Sequence, residues 1–503
     1  MKLGYFFCFL SISWNMFSQQ PDISFGNQGI ITSASGAEIL FSEILADGKI
    51  VSVGYQNIVQ PTGYGYHLIV TRHHPDGSID NNFGTNGTIM DTYGYRCFPD
   101  AVLLQPDQKL VIAATYLPVE GDIDFVAKRV ILRYNSDGTP DPGFGNNGRK
   151  SFDSTSLLAT IRDIALQGNK ILVRGNPAYP NTNLGILIRL DSDGNEDLSF
   201  GDNGVIYPSD NAGMFKSLTV LENGDIVSGG FVGENAAIRK YHADGSLFTD
   251  FGTNGTNSSF NFVPPDWFPV EWADKIIAQP DGKLLAIYMT TQRNGILRLN
   301  SDGTVDTSFG TNGAFMLPEN LPYSFITDFG LRPDGKIVLA GTNADNSDYA
   351  VFVGKLNQDG TNDLTFDNDG YLDLNPSAYN DYFNSINIQQ DGKIIVAGTI
   401  HDVDSNNVFL LMRIDDLPLS ATSDLSPNIS IYPNPFKDDI TIYTAGGSLK
   451  TFQLFDMHGK LVFEKPINGD ENIVSPNVSP GIYFYEIERA NGKKISGKIM
   501  KKN

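Results

Sequence analysis

Cysteine is almost absent from this chain of 503 residues, which holds Cys8 and Cys97 and no other. Residues 1–18 (MKLGYFFCFLSISWNMFS) show one Lys, an apolar run and then Ser18 ahead of Gln19 and Gln20, the pattern of a cleaved secretory signal. Its removal leaves Cys97 alone, so no intramolecular disulfide can form and an exported chain must be held by packing. A lipid-modified Cys8 would follow an apolar residue and two small ones, which Tyr5, Phe6 and Phe7 do not supply. Long hydrophobic runs are lacking as well. A membrane helix takes about 20 apolar residues, and neither the leader nor any later stretch reaches that.

Positive charge is scarce: 36 Lys and Arg stand against 58 Asp and Glu, for a net charge of −22. That balance argues against nucleic acid or an anionic membrane surface as partner. The deficit is uneven, with 25 basic against 49 acidic residues over 19–423, but 10 against 9 from Asp424 onward. Two regions of different chemistry therefore meet near residue 420. Histidine is equally thin, six residues scattered as His67, His73, His74, His242, His401 and His458. No HExxH, GxSxG, SxxK, Walker loop or CxxC occurs, so no nucleophile, cofactor or metal site is expected.

What the chain has in abundance is one connector. The stretch NSDGTVDTSFGTNG from Asn300 returns at His74, Asn135, Asp191, His242 and Asn357, with a stub, PDISFGNQG, at Pro21. Its Phe falls at 25, 83, 144, 200, 251, 309 and 366, a period near 57 residues, which is room for several strands. A second element recurs seven times, a tight turn between apolar stretches such as ADGKIVSVG at Ala46 and PDGKIVLAG at Pro333. Asp-Gly between β-formers marks a hairpin. A third is a Val/Ile/Leu run carrying one cation, as in VILRYN at Val130, suited to a strand buried on both faces. Adding the strand after each FGxNG gives four per unit.

Seven such units could stack openly or close on themselves. An open array needs polar capping repeats, and none is present. The stub at the start instead supplies the FGxNG missing after Asp415, which predicts a closed ring with Phe25 in a socket near Leu410 to Asp415. The pattern NxDGTxDxxFGxNG with DGK(I/L)xxAG resembles the delta-60 repeat family, which implies a β-propeller but no agreed activity. Three positions depart from it: Asp367 for a connector Gly, Gln108 in the second hairpin turn, and Asp225 for Lys in the fourth.

The connector's Asx-x-Asp-Gly looks like a calcium loop, but aligning Gly138 with the sixth EF-hand position puts Arg133 first and Phe144 twelfth, where carboxylates are required. Asx-type turn hydrogen bonds are the expected role of Asp137 and its counterparts. The recurring cations Arg72, Arg133, Arg189, Arg298, Lys355 and Arg413 call for carboxylates. In five of these units the expected partner is the Asp four residues on: Asp76, Asp137, Asp193, Asp302 and Asp359. The variable loops between strands carry aromatic residues: Tyr64 and Tyr66, Tyr95, Tyr179, Trp267 and Trp272. Aromatic side chains on loops favour a binding face for a glycan or protein, or else act as lids over strand ends.

After a polar linker over 417–427, residues 428–503 alternate strand and turn signals, as a small β-sandwich would. Tyr432-Pro433-Asn434-Pro435, the turn through Gly459 and Lys460, Gly481 with Tyr483, and the tail with Lys498, Lys501 and Lys502 resemble the type A C-terminal sorting domain of the Bacteroidetes type IX secretion system. That resemblance implies Sec export, an Ig-like fold, docking on the secretion machinery and an exposed basic recognition strand. The expected architecture is all-β, a seven-bladed β-propeller of four-stranded antiparallel blades over 19–416, then the Ig-like sandwich. The expected function is non-enzymatic binding of a glycan or protein outside the cell; the rival is a secreted carbohydrate-active enzyme using acidic residues of the propeller face.

Overall fold

The computed structural model describes residues 21–502 except 34–35, 61–62, 92–95, 118–126, 153–157, 178–184, 208–212, 233–234, 259–269, 291–293, 318–323, 346–347, 368, 378, 403, 405, 417–428, 433–435, 445–448, 457–459, 470 and 490–493. The chain divides into two compact units, Met1–Asp416 and Leu417–Asn503. Every regular element among the described residues is a strand, and no helix is long and apolar enough to cross a membrane.

The first unit contains five four-stranded antiparallel sheets and one eight-stranded sheet, whose halves are joined by the single parallel bridge of Tyr66 to Arg96. Taking the halves separately, sheet 1 runs Ala37–Ile44, Ile50–Gln60, Gly63–His73, Thr88–Asp91, and sheet 2 runs Arg96–Leu104, Leu110–Leu117, Lys128–Tyr134, Arg149–Phe152. Sheets 3 to 6 begin with Leu158–Gln167, Gly213–Val220, Val270–Ala278 and Ser324–Leu331 and repeat the plan. Sheet 7 runs Tyr382–Ile388, Ile394–His401, Asn407–Ile414 and, from the other end of the chain, Ile30–Thr32. The first strands neighbour one another in order, and that of sheet 7 packs against that of sheet 1. The strand after each FGxNG thus completes the preceding sheet; it does not open the next, as a reading in chain order suggests.

The connectors have this sequence because of their backbone. Gly84, Asn86 and Gly87 all sit at positive φ (54, 53 and 86°), as do their counterparts at residues 26, 28 and 29, 145, 147 and 148, 201, 203 and 204, 252, 254 and 255, and 310, 312 and 313. Only Gly, and at lower cost Asn, takes up that conformation readily. A Cβ on Gly84 would lie 2.3 Å from the Thr88 carbonyl oxygen. Asp367 replaces the first Gly at φ 45°, and Gln108 holds the second hairpin turn at φ 67°. That turn is intact, with Gln108 N–H donating to Gln105 O at 2.9 Å, so the expected break there does not occur.

Each connector Phe is buried, at 2% exposure or less, and the six from Phe25 to Phe309 pack beneath the turn of the next connector. Gly84 N–H reaches across to Asp137 O at 2.8 Å, and Gly310 N–H to Asp359 O at 2.7 Å. At the seam Gly26 N–H donates to Asp76 O at 2.9 Å, Asp22 N–H to Arg413 O at 2.7 Å, and Ile30–Thr32 pairs with Leu410–Met412.

The recurring cations find carboxylates, but not the expected ones. Arg72 Nε binds Asp80 at 2.8 Å, Arg133 Nε binds Asp141 at 2.7 Å, and Arg189 and Arg298 reach Asp197 and Asp306 at 2.8 and 2.7 Å. The partner lies eight residues on. The hairpin lysines Lys49, Lys109, Lys170, Lys283 and Lys336 join the same carboxylates, at 2.5–3.3 Å. At the seam Asp22 takes both Lys393 (2.5 Å) and Arg413 (2.9 Å). The Asp four residues on is occupied otherwise: Asp137 Oδ1 accepts from Thr139 N–H at 2.9 Å and Oγ1 at 2.7 Å, the expected Asx turn. In the fourth unit the carboxylate moves, Asp225 standing for the hairpin lysine and pairing with Lys240 at 3.3 Å, while Phe248 replaces the connector Asp.

The second unit has a three-stranded sheet (Ile429–Tyr432, Ile440–Thr444, Glu471–Val474) and a four-stranded one (Leu461–Pro466, Leu449–Phe455, Gly481–Arg489, Lys494–Lys501). They enclose a core of Phe436, Ile442, Phe452, Leu454, Tyr485, Ile487 and Ile499.

Candidate functional site

The second and third strands of sheet 1 are the longest of the first unit, 11 residues each. They carry Tyr55 and Tyr66, whose ring centroids stand 5.5 Å apart, edge to face. Phe98 of sheet 2 closes the trio at 4.9 Å from Tyr55 and 5.2 Å from Tyr66, and the Arg96 guanidinium lies 5.2 Å over the Tyr66 ring. These rings form one wall of a cleft of about 380 Å³, completed by Gly36, Glu38, Asn57, Asn406 and Asn407. Glu38 accepts from the Asn407 amide and from the Tyr55 phenol, whose pKa burial and that carboxylate push well above its usual value. The Asn57 side-chain oxygen is buried and has no hydrogen-bond partner among the described residues. The cleft thus offers flat apolar faces beside a carboxylate, amides and a guanidinium.

A second feature recurs on the first strands. All seven have a register shift at the same place, as between Ile39 and Phe41, Ile161 and Asp163, or Ile326 and Asp328. Such bulges turn one side chain out of the pleat. The residue beyond the bulge stitches neighbouring sheets: Asp328 accepts from Ile386 N–H at 2.8 Å, and Ser385 Oγ from Ser42 N–H at 3.2 Å. Nearby carboxyls are held protonated to unusually high pH. Burial takes Glu43 to about 7, against the opposing charge of Lys275, and takes Asp163 to about 7 and Asp100 to about 6. No sequence signature flags these positions, because a bulge is a property of pairing.

Of the aromatic residues singled out in the sequence, Tyr66 enters the cleft, from a strand and not from a loop. Tyr64 and Trp272 also lie on strands, Gly63–His73 and Val270–Ala278; their side chains, and all of Tyr95, Tyr179 and Trp267, fall outside the described residues. Tyr55 and Phe98, which complete the trio, sit in β-patterns that read as ordinary strand residues. Cys97 is a free, buried thiol, pushed up to about 12 by burial and the Asp91 charge. Among the described residues no three His, Cys, Asp or Glu side chains are placed to hold a metal.

In the second unit Tyr432 ends the strand Ile429–Tyr432, while Pro433, Asn434, Pro435 and Gly459 lie outside the described residues. Lys460 closes a turn, its N–H donating to Asp456 Oδ1 at 3.0 Å. Gly481 starts the strand Gly481–Arg489, and Tyr483 is buried with its hydroxyl donating to Ser479 O at 2.7 Å. Lys498 and Lys501 lie on the edge strand Lys494–Lys501, and Lys502 follows it, exposed. Lys501 is half-buried, its ammonium 5.4 Å over Phe436 and donating to Pro476 O at 3.3 Å, because Phe436 bridges alongside it.

Two family models match the chain. One, described as a secretion system C-terminal sorting domain, covers residues 430–502. The other, a domain of unknown function (DUF5122) beta-propeller, covers 45–83, 105–144, 279–309, 332–366 and 389–415. No curated protein matches. Solved structures of similar shape include a protein of unknown function from Dyadobacter fermentans (12% identity, 77% of this chain and 99% of that one, TM-score 0.40). Others are prolyl oligopeptidase B from Galerina marginata (11%, 92% and 55%, 0.42) and the extracellular domains 1-2 of Drosophila Semaphorin 1a (10%, 80% and 90%, 0.40). The chain spans about half the length of the oligopeptidase, and likenesses this remote say nothing of activity. The chain carries DUF5122 β-propeller repeats, the delta-60 repeats expected of its connectors, followed by a sorting domain that exports it through type IX secretion to the cell surface or beyond.

Proposed function

We propose that this is a seven-bladed propeller, running from residue 19 to 416 behind a signal peptide, that binds a glycan outside the cell. The linker would span 417–427 and an Ig-like sorting module 428–503. The seven four-stranded sheets, the cyclic order of their first strands and the pairing of Ile30–Thr32 with the last sheet support the ring. The observation that carries the binding reading is the Tyr55, Tyr66 and Phe98 cleft with Glu38 and the unpartnered Asn57 oxygen. Aromatic faces offer the apolar side of a sugar ring a platform, while carboxylate and amide groups beside them meet its hydroxyls.

The rival reading, a carbohydrate-active enzyme, has its own support in Glu43, a buried carboxyl raised to about 7 within electrostatic reach of Asp328, since glycoside hydrolysis uses a general acid of raised pKa beside a second carboxyl group. Screening the full chain on a glycan array with parallel turnover assays separates the two. Tyr66→Ala should lower affinity for the captured glycan about tenfold, a typical loss of about 1.4 kcal/mol for an interface aromatic. Capture unaffected by Tyr66→Ala overturns the cleft, and polysaccharide turnover lost in Glu43→Gln would establish the enzyme.

A further inference from the structure

We propose that the cavity between the first strands of sheets 3, 4 and 5 binds an oxyanion, the carboxylate or sulfate group of an acidic ligand. The cavity is about 560 Å³, and three cations line it, Arg162, Arg174 and Lys216, together with Asp274. It is distinct from the aromatic cleft, which belongs to sheets 7, 1 and 2, and does not depend on that reading.

The bulges build it. Arg162 and Lys216 are skipped in the pairing of the first strands of sheets 3 and 4, and Asp274 with Lys275 in that of sheet 5, and Arg162, Lys216 and Asp274 all line one space. Their sequence surroundings, TIRDI, MFKSL and WADKI, share no motif. Arg174 comes from the second strand of sheet 3 and is 3% exposed. One arm of its guanidinium donates to the Phe215 carbonyl, while Nε is buried with no hydrogen-bond partner among the described residues.

That arrangement contrasts with the rest of the unit. Arg72, Arg133, Arg189 and Arg298 each hold a carboxylate at 2.7–2.8 Å, whereas Arg174 makes no ion pair within 4 Å among the described residues. A buried guanidinium without a carboxylate is costly. Two buried carboxyls act on it, Asp163 and Asp274, and burial raises both, Asp163 to about 7. In a chain of net charge −22, the Arg174 guanidinium thus stands without an ion pair of its own among the described residues, beside Arg162 and Lys216. The planar fork of Arg174, beside Arg162, suits the two oxygens of a carboxylate or sulfate.

The test uses the full chain at about 0.15 M salt, where the Debye length is about 8 Å and the acidic surface is largely screened. Polygalacturonate, dextran sulfate and neutral dextran are titrated by calorimetry. The expected result is binding of at least one acidic polymer and none of neutral dextran. Polygalacturonate alone identifies a carboxylate, dextran sulfate alone a sulfate. The double variant Arg162→Gln, Lys216→Gln should weaken that binding at least tenfold with an unchanged unfolding midpoint. Arg174→Lys, which keeps the charge and loses the fork, should weaken it as well. Failure of both acidic polymers to bind, equal binding of neutral dextran, or parental affinity in the double variant overturns the proposal.

Discussion

Replacing Phe25 by Ala probes the seam at which the two ends of the first unit meet. The ring is fully buried in a cluster that spans the seam, with Ala37, Ile39 and Ile50 of sheet 1 and Ile395, Ala397, Phe409 and Leu411 of sheet 7. Truncating a buried Phe costs about 3–5 kcal/mol, through lost transfer energy and the cavity left behind. The Arg413 guanidinium, 4.8 Å above the ring, loses its aromatic face too, an effect of about 0.5–2 kcal/mol that is already part of such totals. Against a total stability of about 5–15 kcal/mol, the change is large. Urea unfolding of Phe25→Ala and of Phe309→Ala, its counterpart inside the chain, should give similar losses at unchanged slope. Hydrogen exchange adds a local readout, since the amides of Leu410–Met412 pair with Ile30–Thr32 and should lose protection in Phe25→Ala alone. A loss below about 0.5 kcal/mol for Phe25→Ala, with Phe309→Ala costing the expected amount, would refute the view that this socket closes the unit.

Gln108→Gly relieves a side chain held at φ 67° and should stabilise by about 0.5–1 kcal/mol in the same urea assay, the left-handed penalty less the entropy of glycine. Acid should unfold the protein through its connector carboxylates: burial raises Asp22, but Lys393, Ser24 and Arg413 outweigh it and bring it to about 2, and Asp363 likewise reaches about 2. Folded values below the unfolded one mean that their stabilisation is complete above about pH 4 and lost toward pH 2; Asp22→Asn should flatten that loss in a pH series of melting temperatures. Glu43 behaves in the opposite sense, its folded value near 7 lying above the unfolded one, so it costs stability as pH rises from about 4.5 to 7. Glu43→Gln should therefore raise the melting temperature at pH 8 and leave it unchanged at pH 4. A passenger bearing a Sec signal and residues 424–503 should appear outside a Bacteroidetes cell; its retention in the periplasm would contradict the assignment of the export signal to this segment.

The connectors were legible in the sequence because each is a local device. Gly and Asn at positions 84, 86 and 87 answer to φ values that few other residues tolerate, and the same demand recurs at every copy. The buried Phe, the hairpin turns and the division near residue 420 follow from equally short stretches, as does the run of motifs matched by the sorting family. Tertiary structure decided what depends on residues far apart in the chain. An Arg four residues before one Asp and eight before another met the second, because the first already caps its own turn. The strand after each FGxNG joined the sheet behind it. The fourth unit kept its charge pair by moving the carboxylate from the connector, where Phe248 stands, to the hairpin at Asp225, which no single position reveals. Tyr55, Tyr66 and Phe98 became one wall only where sheets 1 and 2 meet, and Arg162, Lys216 and Asp274 one cavity only where three bulges align. A bulge has no residue type of its own. The chain specified its turns residue by residue, and its sites arose from the register in which those turns set the strands.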